Sequence, residues 1–439
     1  MHFPPKKSPA PKWEFDYSSD WRSLFSFWRQ DLVAGFTVAI VALPLALGFA
    51  ITTGAPASMG ITTAIIAGFI AALFGGSNYQ VSGPTGAMTV VLVPIVAKYG
   101  LQSLVPIGIG AGILIALLGI FRFGRFIDSV PWPVMEGFTL GIAVIIALQQ
   151  IPLIFEVDKA EGGHTFTVAI ETSKTAFNQG FNLSAVMLVA MTLIIKFSWP
   201  KVKSQLGIKA HIPASIIALI SLTFFAETIE LDVNRIGELP RTLNLNNELS
   251  LNSYFNSNNL PISALLYAII VVALLGAIES LLSARVADGM AHQVIDHEQV
   301  KHQPNKELLG QGLANIASAM AGGLPSTGAI ARTGVNVRAG ARTRLSAIFH
   351  ACFLLFIILI IAPIVAVIPT AVLAGVLLGT SIRIANPRSV KEALTTTKSE
   401  AIVYLATAIS VVVIDLIWGI AIGVAIHQII KARKPKLQL

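Results

Sequence analysis

Two matching breaks interrupt a chain that is otherwise apolar enough to lie in a membrane. The first reads SGPTGAM at residues 82–88, and its outline recurs about 240 residues later as PSTGAI at residues 325–330. Small residues open the helix at each break, and a short apolar helix is predicted to follow. Lipid offers no hydrogen bonds, so irregular backbone at membrane depth must be buried in protein or line a cavity. Matching breaks in two halves of one chain indicate the midplane binding site of a transporter.

The short helices after the breaks favour a ligand of one charge. The free N–H groups and the positive dipole end of each helix point toward the gap that precedes it. We expect backbone N–H and hydroxyl donors from both breaks, at Thr85, Gly86, Ala87, Thr327, Gly328 and Ala329. Two positive helix ends that face one cavity favour an anion, so the sequence predicts a protein that moves an anion across a membrane.

The composition supports a polytopic membrane protein. Hydrophobic residues make up 54% of the 439 and charged residues only 12%, against about 25% charged residues in soluble domains. The net charge of +8 falls mostly in predicted cytoplasmic segments, as the positive-inside rule requires, and does not indicate a nucleic-acid partner. The single cysteine, Cys352, excludes an internal disulfide, and we expect it to be a small buried hydrophobic residue.

Fourteen apolar segments predict an all-α fold. They lie at about 30–53, 57–76, 84–98, 101–121, 131–154, 182–199, 211–226, 262–284, 307–323, 326–340, 344–363, 365–381, 400–413 and 414–431. The third and tenth are too short to cross about 30 Å of hydrocarbon as helix alone. Each is therefore expected to complete its crossing with an extended stretch, at 79–83 and 322–325.

An even number of crossings places both termini on the same side, and their basic residues predict that this is the cytoplasmic side of a bacterial-type plasma membrane. With this topology few basic residues face outward, and they are Lys98, Lys159, Lys174, Arg235 and Arg241. Two long polar loops, 155–181 and 227–260, also fall outside. The second divides the spans into two sets of seven, and an odd number per half inverts one repeat relative to the other, as in alternating-access transporters.

The predicted domain organisation is simple. We expect a cytoplasmic tail, a transmembrane domain of two repeats and a basic tail, at residues 1–29, 30–431 (repeats about 30–226 and 262–431) and 432–439. The sequence ends directly after the last predicted span, so no soluble C-terminal domain is expected.

Glu279 is the acidic residue that most needs an explanation, because it lies deep in the eighth segment. An acid at that depth costs about 2.5 kcal/mol or more unless it is paired, hydrated or protonated, so a functional role is the default hypothesis. The apolar surroundings favour its protonated form and a nearby arginine would favour its ionised form. Glu279 can therefore carry a proton or, together with Ser283 one helical turn later, bind sodium through oxygen atoms. The structural alternative is an acid that holds two helices together.

Arg332 lies within the tenth, broken segment. Its guanidinium is always charged and presents a planar fork of donors suited to an oxyanion. A structural ion pair with Glu279, or a side chain that reaches toward the cytoplasm, is the alternative interpretation. Both can hold together, because a Glu279–Arg332 pair that separates on anion binding would couple a proton to the anion.

Five stretches, in order, resemble the sulfate permease (SulP) family of inorganic-anion transporters. They are DLVAG at 31–35 with LPLA at 43–46, VSGPT at 81–85, GFTLGIA at 137–143, NKELLGQG at 305–312 and IPTAVLAG at 368–375. The likeness runs through about residues 28–431. It implies a seven-plus-seven inverted repeat in which spans 1–4 and 8–11 form a substrate-carrying core. Spans 5–7 and 12–14 would form a gate, commonly dimeric, against which the core moves like an elevator.

The resemblance also implies roles for individual residues. The anion would sit between the starts of the third and tenth helices, beside Arg332. Glu279 matches an acid linked to proton coupling in many members, whereas the similar cyanobacterial bicarbonate transporters carry Asp there with a hydroxyl residue four positions on and a bound sodium ion. Ser283 supplies that hydroxyl, yet the Glu and the arginine favour proton coupling. Most members end in a STAS domain, which does not follow the last span of this sequence.

The sequence therefore predicts a secondary active importer of a small inorganic oxyanion, sulfate or bicarbonate, driven by protons or sodium. The nearest alternative is an uncoupled anion exchanger or channel of the same fold. A nucleobase permease is disfavoured because Arg332 suits an anion better than a neutral base. A non-transporting scaffold would leave the charged residues and the breaks unexplained. Walker and Rossmann motifs are absent, so neither ATP-driven transport nor enzyme catalysis is indicated.

Overall fold

The computed structural model describes residues 24–127, 130–162, 164–207, 213–239, 261–294, 301–414 and 416–433. Most of the two predicted tails, at 1–23 and 434–439, lies outside the described residues. Much of the second predicted outward loop, at 240–260, lies outside them as well.

Helices make up nearly all of the described structure. The first half contains α1 (Trp28–Thr53), α2 (Ala57–Phe74), strand β1 (Ser82–Gly83), α3 (Gly86–Tyr99), α4 (Leu104–Ile120), α5 (Gly124–Ile127), α6 (Trp132–Gln149), α7 (Ile151–Phe155), α8 (Thr165–Gln179), α9 (Leu183–Gln205) and α10 (Ala214–Thr228). The second half contains α11 (Ile262–Val294), α12 (Pro304–Met320), strand β2 (Thr327–Gly328), α13 (Ile330–Arg338), α14 (Leu345–Ala366), α15 (Thr370–Ala385), α16 (Pro387–Thr395), α17 (Lys398–Val413) and α18 (Leu416–Arg433). In both halves two long helices precede a two-residue strand and a short helix.

Each of the fourteen predicted apolar segments coincides with a helix. Within the described residues, eight helical stretches are long and apolar enough to cross a membrane, and shorter apolar helices accompany them. The all-α polytopic fold with two broken helices is confirmed, while the count of fourteen crossings stays a prediction.

The structure differs from the sequence prediction at the end of one long helix and within one predicted loop. Helix α11 continues to Val294, past the end expected near 284, because no proline follows to stop it. The predicted polar loop 155–181 contains α8, whose buried positions Val168, Ala169, Thr172 and Ala176 recur at helical spacing. Residues three and four apart share one helix face, so this helix packs its apolar side on the neighbouring helices.

The two breaks meet in an antiparallel pair at the centre of the molecule. Ser82 lies opposite Gly328 and Gly83 opposite Thr327. The N–H of Ala329 also donates to the carbonyl of Val81 at 2.9 Å. Buried backbone groups must be paired, and each strand supplies the partners that the other lacks, so neither break would be satisfied alone.

The helices pack in two groups. In one group α4 packs on α12, α14 on α1, and α11 on α4 and α13; in the other, α17 packs on α6 and α18, and α9 on α15. The α4–α12 contact depends on small residues, because a side chain at Gly112 would meet the carbonyl oxygen of Gly312 at 2.7 Å. Close backbone approach at small residues is the usual packing mode of membrane helices.

Cys352 is exposed, so the expectation that it is buried was wrong. It lies on α14 beside the exposed apolar side chains of Phe356, Leu359 and Ile360. This helix is apolar on every side, and hydrophobicity therefore does not distinguish its core-facing residues from the residues that face lipid.

Candidate functional site

Glu279 and the two threonines of the breaks form a buried polar cluster. The Oε2 atom of Glu279 accepts hydrogen bonds from the hydroxyls of Thr85 at 2.9 Å and Thr327 at 2.7 Å. The two hydroxyl oxygens lie 3.1 Å apart. Only 8% of Glu279 is exposed. The strand pair brings the two halves of the chain together at this carboxylate, which lies nearly 200 residues from Thr85 and 48 from Thr327.

Arg332 is buried beside this cluster in the first turn of α13. Its Nη2 donates to the carbonyl oxygen of Pro84, whereas its Nη1 has no hydrogen-bond partner among the described residues. Gly83 makes room for it, since a Cβ there would lie 2.5 Å from Nη1. The ion pairs of the described residues do not include a Glu279–Arg332 contact. Arg332 therefore supports the first break with one nitrogen and keeps a donor for another oxygen.

The backbone donors differ between the two breaks. The hydroxyl of Thr85 caps α3 by accepting from the N–H of Met88 at 3.4 Å. Gly86 and Ala87 lie in the first turn, where N–H groups have no acceptor within the helix, and both line the central cavity. These N–H groups are the donors that the first break offers to a ligand.

At the second break two of the expected donors are already used. The N–H of Gly328 donates to the hydroxyl of Ser280 at 3.0 Å, and the N–H of Ala329 donates to Val81. The next two residues, Ile330 and Ala331, line the cavity at the start of α13, which no side chain caps. Sequence reasoning missed them because it placed the helix start a few residues too early.

Ser283 makes a different contact from the one expected. Its hydroxyl donates to the hydroxyl oxygen of Thr333 at 3.2 Å, and that same oxygen accepts from the N–H of Val81 at 3.0 Å. No hydrogen bond among the described residues joins Ser283 to Glu279. A role for Ser283 in binding a coupling ion stays a prediction.

A cavity of about 410 Å³ opens from this cluster toward the side on which α13 and α15 end. Sequence reasoning missed the charged side chains that line it away from the breaks, namely Glu136, Lys196, Arg338 and Arg383. Lys196 is 2% exposed and donates to the carbonyl of Val376 at 2.5 Å and the hydroxyl of Thr380 at 2.7 Å. The sequence does show that Lys196 is the single lysine in the apolar run 182–199. Charged residues are rare inside membranes, so a lysine in such a run is a functional candidate.

A second buried carboxylate holds the segment that leads into the first break. Glu307 in α12 accepts hydrogen bonds from the backbone N–H groups of Gly76 and Ser77 and from the side-chain amides of Gln80 and Gln311, at 2.7–3.0 Å. Gln311 also donates to the hydroxyl of Ser82 at 2.5 Å. A carboxylate with four donors is satisfied without a counter-ion, so Glu307 fixes the chain that leads into β1.

Comparisons with known proteins identify the family. A sequence profile described as "Sulfate permease family" matches residues 28–407. YvdB of Bacillus subtilis strain 168, provisionally named a sulfate transporter, is 35% identical over 92% of this chain and 74% of its own length. The bicarbonate transporter BicA of Synechocystis sp. strain PCC 6803 is 33% identical over 91% of this chain and 69% of its own.

Solved structures show the same fold. The transmembrane domain of a cyanobacterial bicarbonate transporter BicA superposes with a TM-score of 0.79 at 31% identity, covering 91% of this chain and 98% of that domain. The murine anion transporter Slc26a9 superposes with a TM-score of 0.77 at 14% identity, over 97% of this chain and 73% of that one, which is a likeness of fold alone. The profile match spans most of the chain, and the chain therefore belongs to the sulfate permease family of membrane transporters.

Proposed function

We propose that this protein is a secondary active transporter of a small inorganic oxyanion, sulfate or bicarbonate, coupled to a proton or sodium gradient. The observation that carries the proposal is the meeting of two helix N-termini, at Gly86 and Ile330, with the guanidinium of Arg332 at one buried cavity. Helix N-termini and an arginine fork are donors suited to an oxyanion. The names of the relatives, sulfate transporter for YvdB and bicarbonate transporter for BicA, support both substrates.

The threonine cluster supplies a mechanism for proton coupling. While Glu279 is ionised, its Oε2 accepts hydrogen bonds from the hydroxyls of Thr85 and Thr327. Each hydroxyl has only one proton to donate, so neither can donate to an anion in the cavity. Protonation removes the negative charge and turns the carboxyl group into a donor, which releases a threonine hydroxyl toward the anion. The anion and the proton therefore bind best together.

Sodium coupling uses the same oxygen atoms in another way. A sodium ion at Glu279 would take the carboxylate and the hydroxyls of Thr85 and Thr327 as ligands, with Ser283 as the expected further hydroxyl. Hard cations prefer such oxygen ligands. A bound cation would cancel the carboxylate charge beside the anion, as protonation does.

Movement of one packing group against the other provides the transport step. The cavity is lined from both groups, by Arg332 and Glu279 on one side and by Glu136, Lys196 and Arg383 on the other. The group that holds the breaks would carry the anion as an elevator core, and the group around α6 and α15 would remain as a gate that dimerises in the bilayer. Both termini would lie in the cytoplasm of a bacterial cell.

Uptake by the purified protein in liposomes tests the proposal. Labelled sulfate and labelled bicarbonate are compared while proton and sodium gradients are imposed separately. Sulfate accumulation with an inward proton gradient is expected from Glu279 and Arg332. Bicarbonate accumulation that needs sodium would contradict proton coupling, and anion exchange without response to either gradient would show an uncoupled exchanger.

Replacing Glu279 by glutamine separates coupling from binding. Glu279→Gln removes the titrating group, so gradient-driven accumulation should fall to the equilibrium level while anion exchange continues at a measurable rate. Glu136→Gln is the matched control, because this acid lines the same cavity away from the threonine cluster. Full accumulation by Glu279→Gln would contradict the coupling role.

A further inference from the structure

A second cavity lies on the opposite face of the molecule. It has a volume of about 420 Å³ and is lined by the ends of α1, α3 and α6, by the segment 159–162 and by the start of α8. The predicted topology places this face outside the cell. Phe49 and Ile146 line the central cavity, and both would contact a side chain at Gly86, at the start of α3, whose second half lines the second cavity.

Gln149 lines this second cavity and has an unpaired side-chain amide. Its side chain is only 9% exposed, and neither its Nε2 nor its Oε1 has a hydrogen-bond partner within the part of the chain that is described. The neighbouring Gln150, by contrast, donates its Nε2 to the carbonyl of Ile146 at 3.0 Å. An unsatisfied buried polar group costs about 1–3 kcal/mol, so a buried amide that faces a cavity indicates a ligand.

The start of α8 adds a second set of donors. This helix has 15 residues, and no side chain caps its N-terminus. Thr165 in its first turn lines the cavity together with Val168 and Ala169. The uncapped N–H groups of a first turn and the positive end of the dipole favour an anion.

Lys159 supplies a full positive charge at the cavity mouth. It lines the cavity and is exposed there, and no ion pair or hydrogen bond of the described residues uses its amine. The surrounding protein nevertheless lowers the pKa of Lys159 by desolvation, and a bound anion would oppose this effect. The N–H of Ala160 donates to the hydroxyl of Thr172 at 3.0 Å, which holds the segment against α8.

We propose that Gln149, Lys159 and the N-terminus of α8 form an outer binding site for an inorganic anion. The identity of that anion rests on the proposed function, because the site would take the transported oxyanion before the central cavity opens to it. Parting of Phe49 from Ile146 would connect the two cavities beside Gly86. The outer site would then raise the anion concentration at the entrance of the transport path.

The first test is the concentration dependence of uptake by Lys159→Gln. Loss of the charge should raise KM by about tenfold, equivalent to about 1.4 kcal/mol, while the maximal rate stays unchanged. Lys174→Gln is the matched control. Lys174 is an exposed lysine of α8 that forms an ion pair with Glu171, and its replacement removes the same charge from the face that is predicted to lie outside. Equal KM values for the two variants would overturn the proposal.

The second test measures anion binding at the outer site independently of transport. Gln149→Cys is prepared in a Cys352→Ala background, and its reaction with a charged thiol reagent is followed in the presence of sulfate, bicarbonate or gluconate. Sulfate or bicarbonate should slow the reaction severalfold and gluconate should not, and Lys159→Gln in the same background should abolish this protection. Protection without uptake by the wild type would leave the site standing and refute the transport function. Absence of protection in a protein that transports would refute the site alone.

Discussion

At the scale of single residues, the two terminal nitrogens of Arg332 can bind different acceptors, so one side chain can contact both the protein and a ligand. One nitrogen supports the carbonyl of Pro84, and the other has no partner among the described residues. A lysine has one nitrogen at the end of a flexible chain, so it keeps the charge and loses the fork.

Arg332→Lys should therefore lower the anion uptake rate at limiting concentration by about tenfold or more, which corresponds to about 1.4 kcal/mol. Uptake and thermal unfolding are measured in the same preparations, so that loss of folded protein is separated from loss of binding. Arg338→Lys is the control, because Arg338 lines the same cavity at an exposed position of the last turn of α13. Unchanged uptake by Arg332→Lys would show that only the charge at this position matters, and a similar loss in both variants would show that the loss is not specific to the fork of Arg332.

At the scale of elements, the two breaks persist because hydrogen bonds from distant parts of the chain hold them. The side-chain amide of Asn336 donates to the carbonyl of Tyr79 at 2.8 Å. The carboxylate of Asp31 accepts from the backbone N–H groups of Arg342 and Thr343 at 2.7 and 3.1 Å. These contacts join the two halves of the chain. The hydrogen bonds that stabilise the fold therefore also hold the binding site in place.

Thr333→Val tests one of these supports. Valine preserves the shape and removes the acceptor of the Val81 N–H and the Ser283 hydroxyl. A buried N–H without a partner costs about 1–3 kcal/mol, so the variant should unfold at lower temperature in detergent.

The control for this variant is Thr407→Val, another buried threonine. Among the described residues its hydroxyl bonds only to the carbonyl of Val403 in its own helix, and that carbonyl keeps its helical partner. Equal thermal stability of the two variants would show that the Thr333 contacts do not stabilise the break.

At the scale of the whole molecule, this structure is open to one side. The central cavity reaches Arg338 and Asn386, at the ends of α13 and α15, and the positive-inside rule predicts that this side faces the cytoplasm. On the other side Phe49 of α1 and Ile146 of α6 both lie close to Gly86. The alternating access that we propose would require these two apolar side chains to move apart once per cycle.

Cross-linking Phe49→Cys to Ile146→Cys tests that requirement. A bifunctional methanethiosulfonate applied to the double variant, in a Cys352→Ala background, should reduce uptake by about tenfold or more, and reductant should restore it. The two single variants treated in the same way serve as controls. Transport by protein that is shown by mass to be cross-linked would exclude this opening.

The sequence by itself determined the fold class and the breaks, and it drew attention to Glu279 and Arg332. Hydropathy and the effects of proline and glycine on the backbone depend on residues that are adjacent in the sequence. The positions of the long helices and of the short helices α3 and α13 could therefore be predicted from the sequence. Glu279 and Arg332 were recognisable for the same reason, since charge inside an apolar run is conspicuous.

The tertiary structure alone decided which polar atoms meet. It directs Ser283 to Thr333, engages the N–H groups of Gly328 and Ala329, and leaves the amide of Gln149 facing a cavity. Lys196 enters the central cavity only because α9 packs on α15. A hydrogen bond forms between neighbours in space, and the residues that meet here are as far apart in sequence as Val81 and Thr333, 252 positions, so no local pattern specifies them.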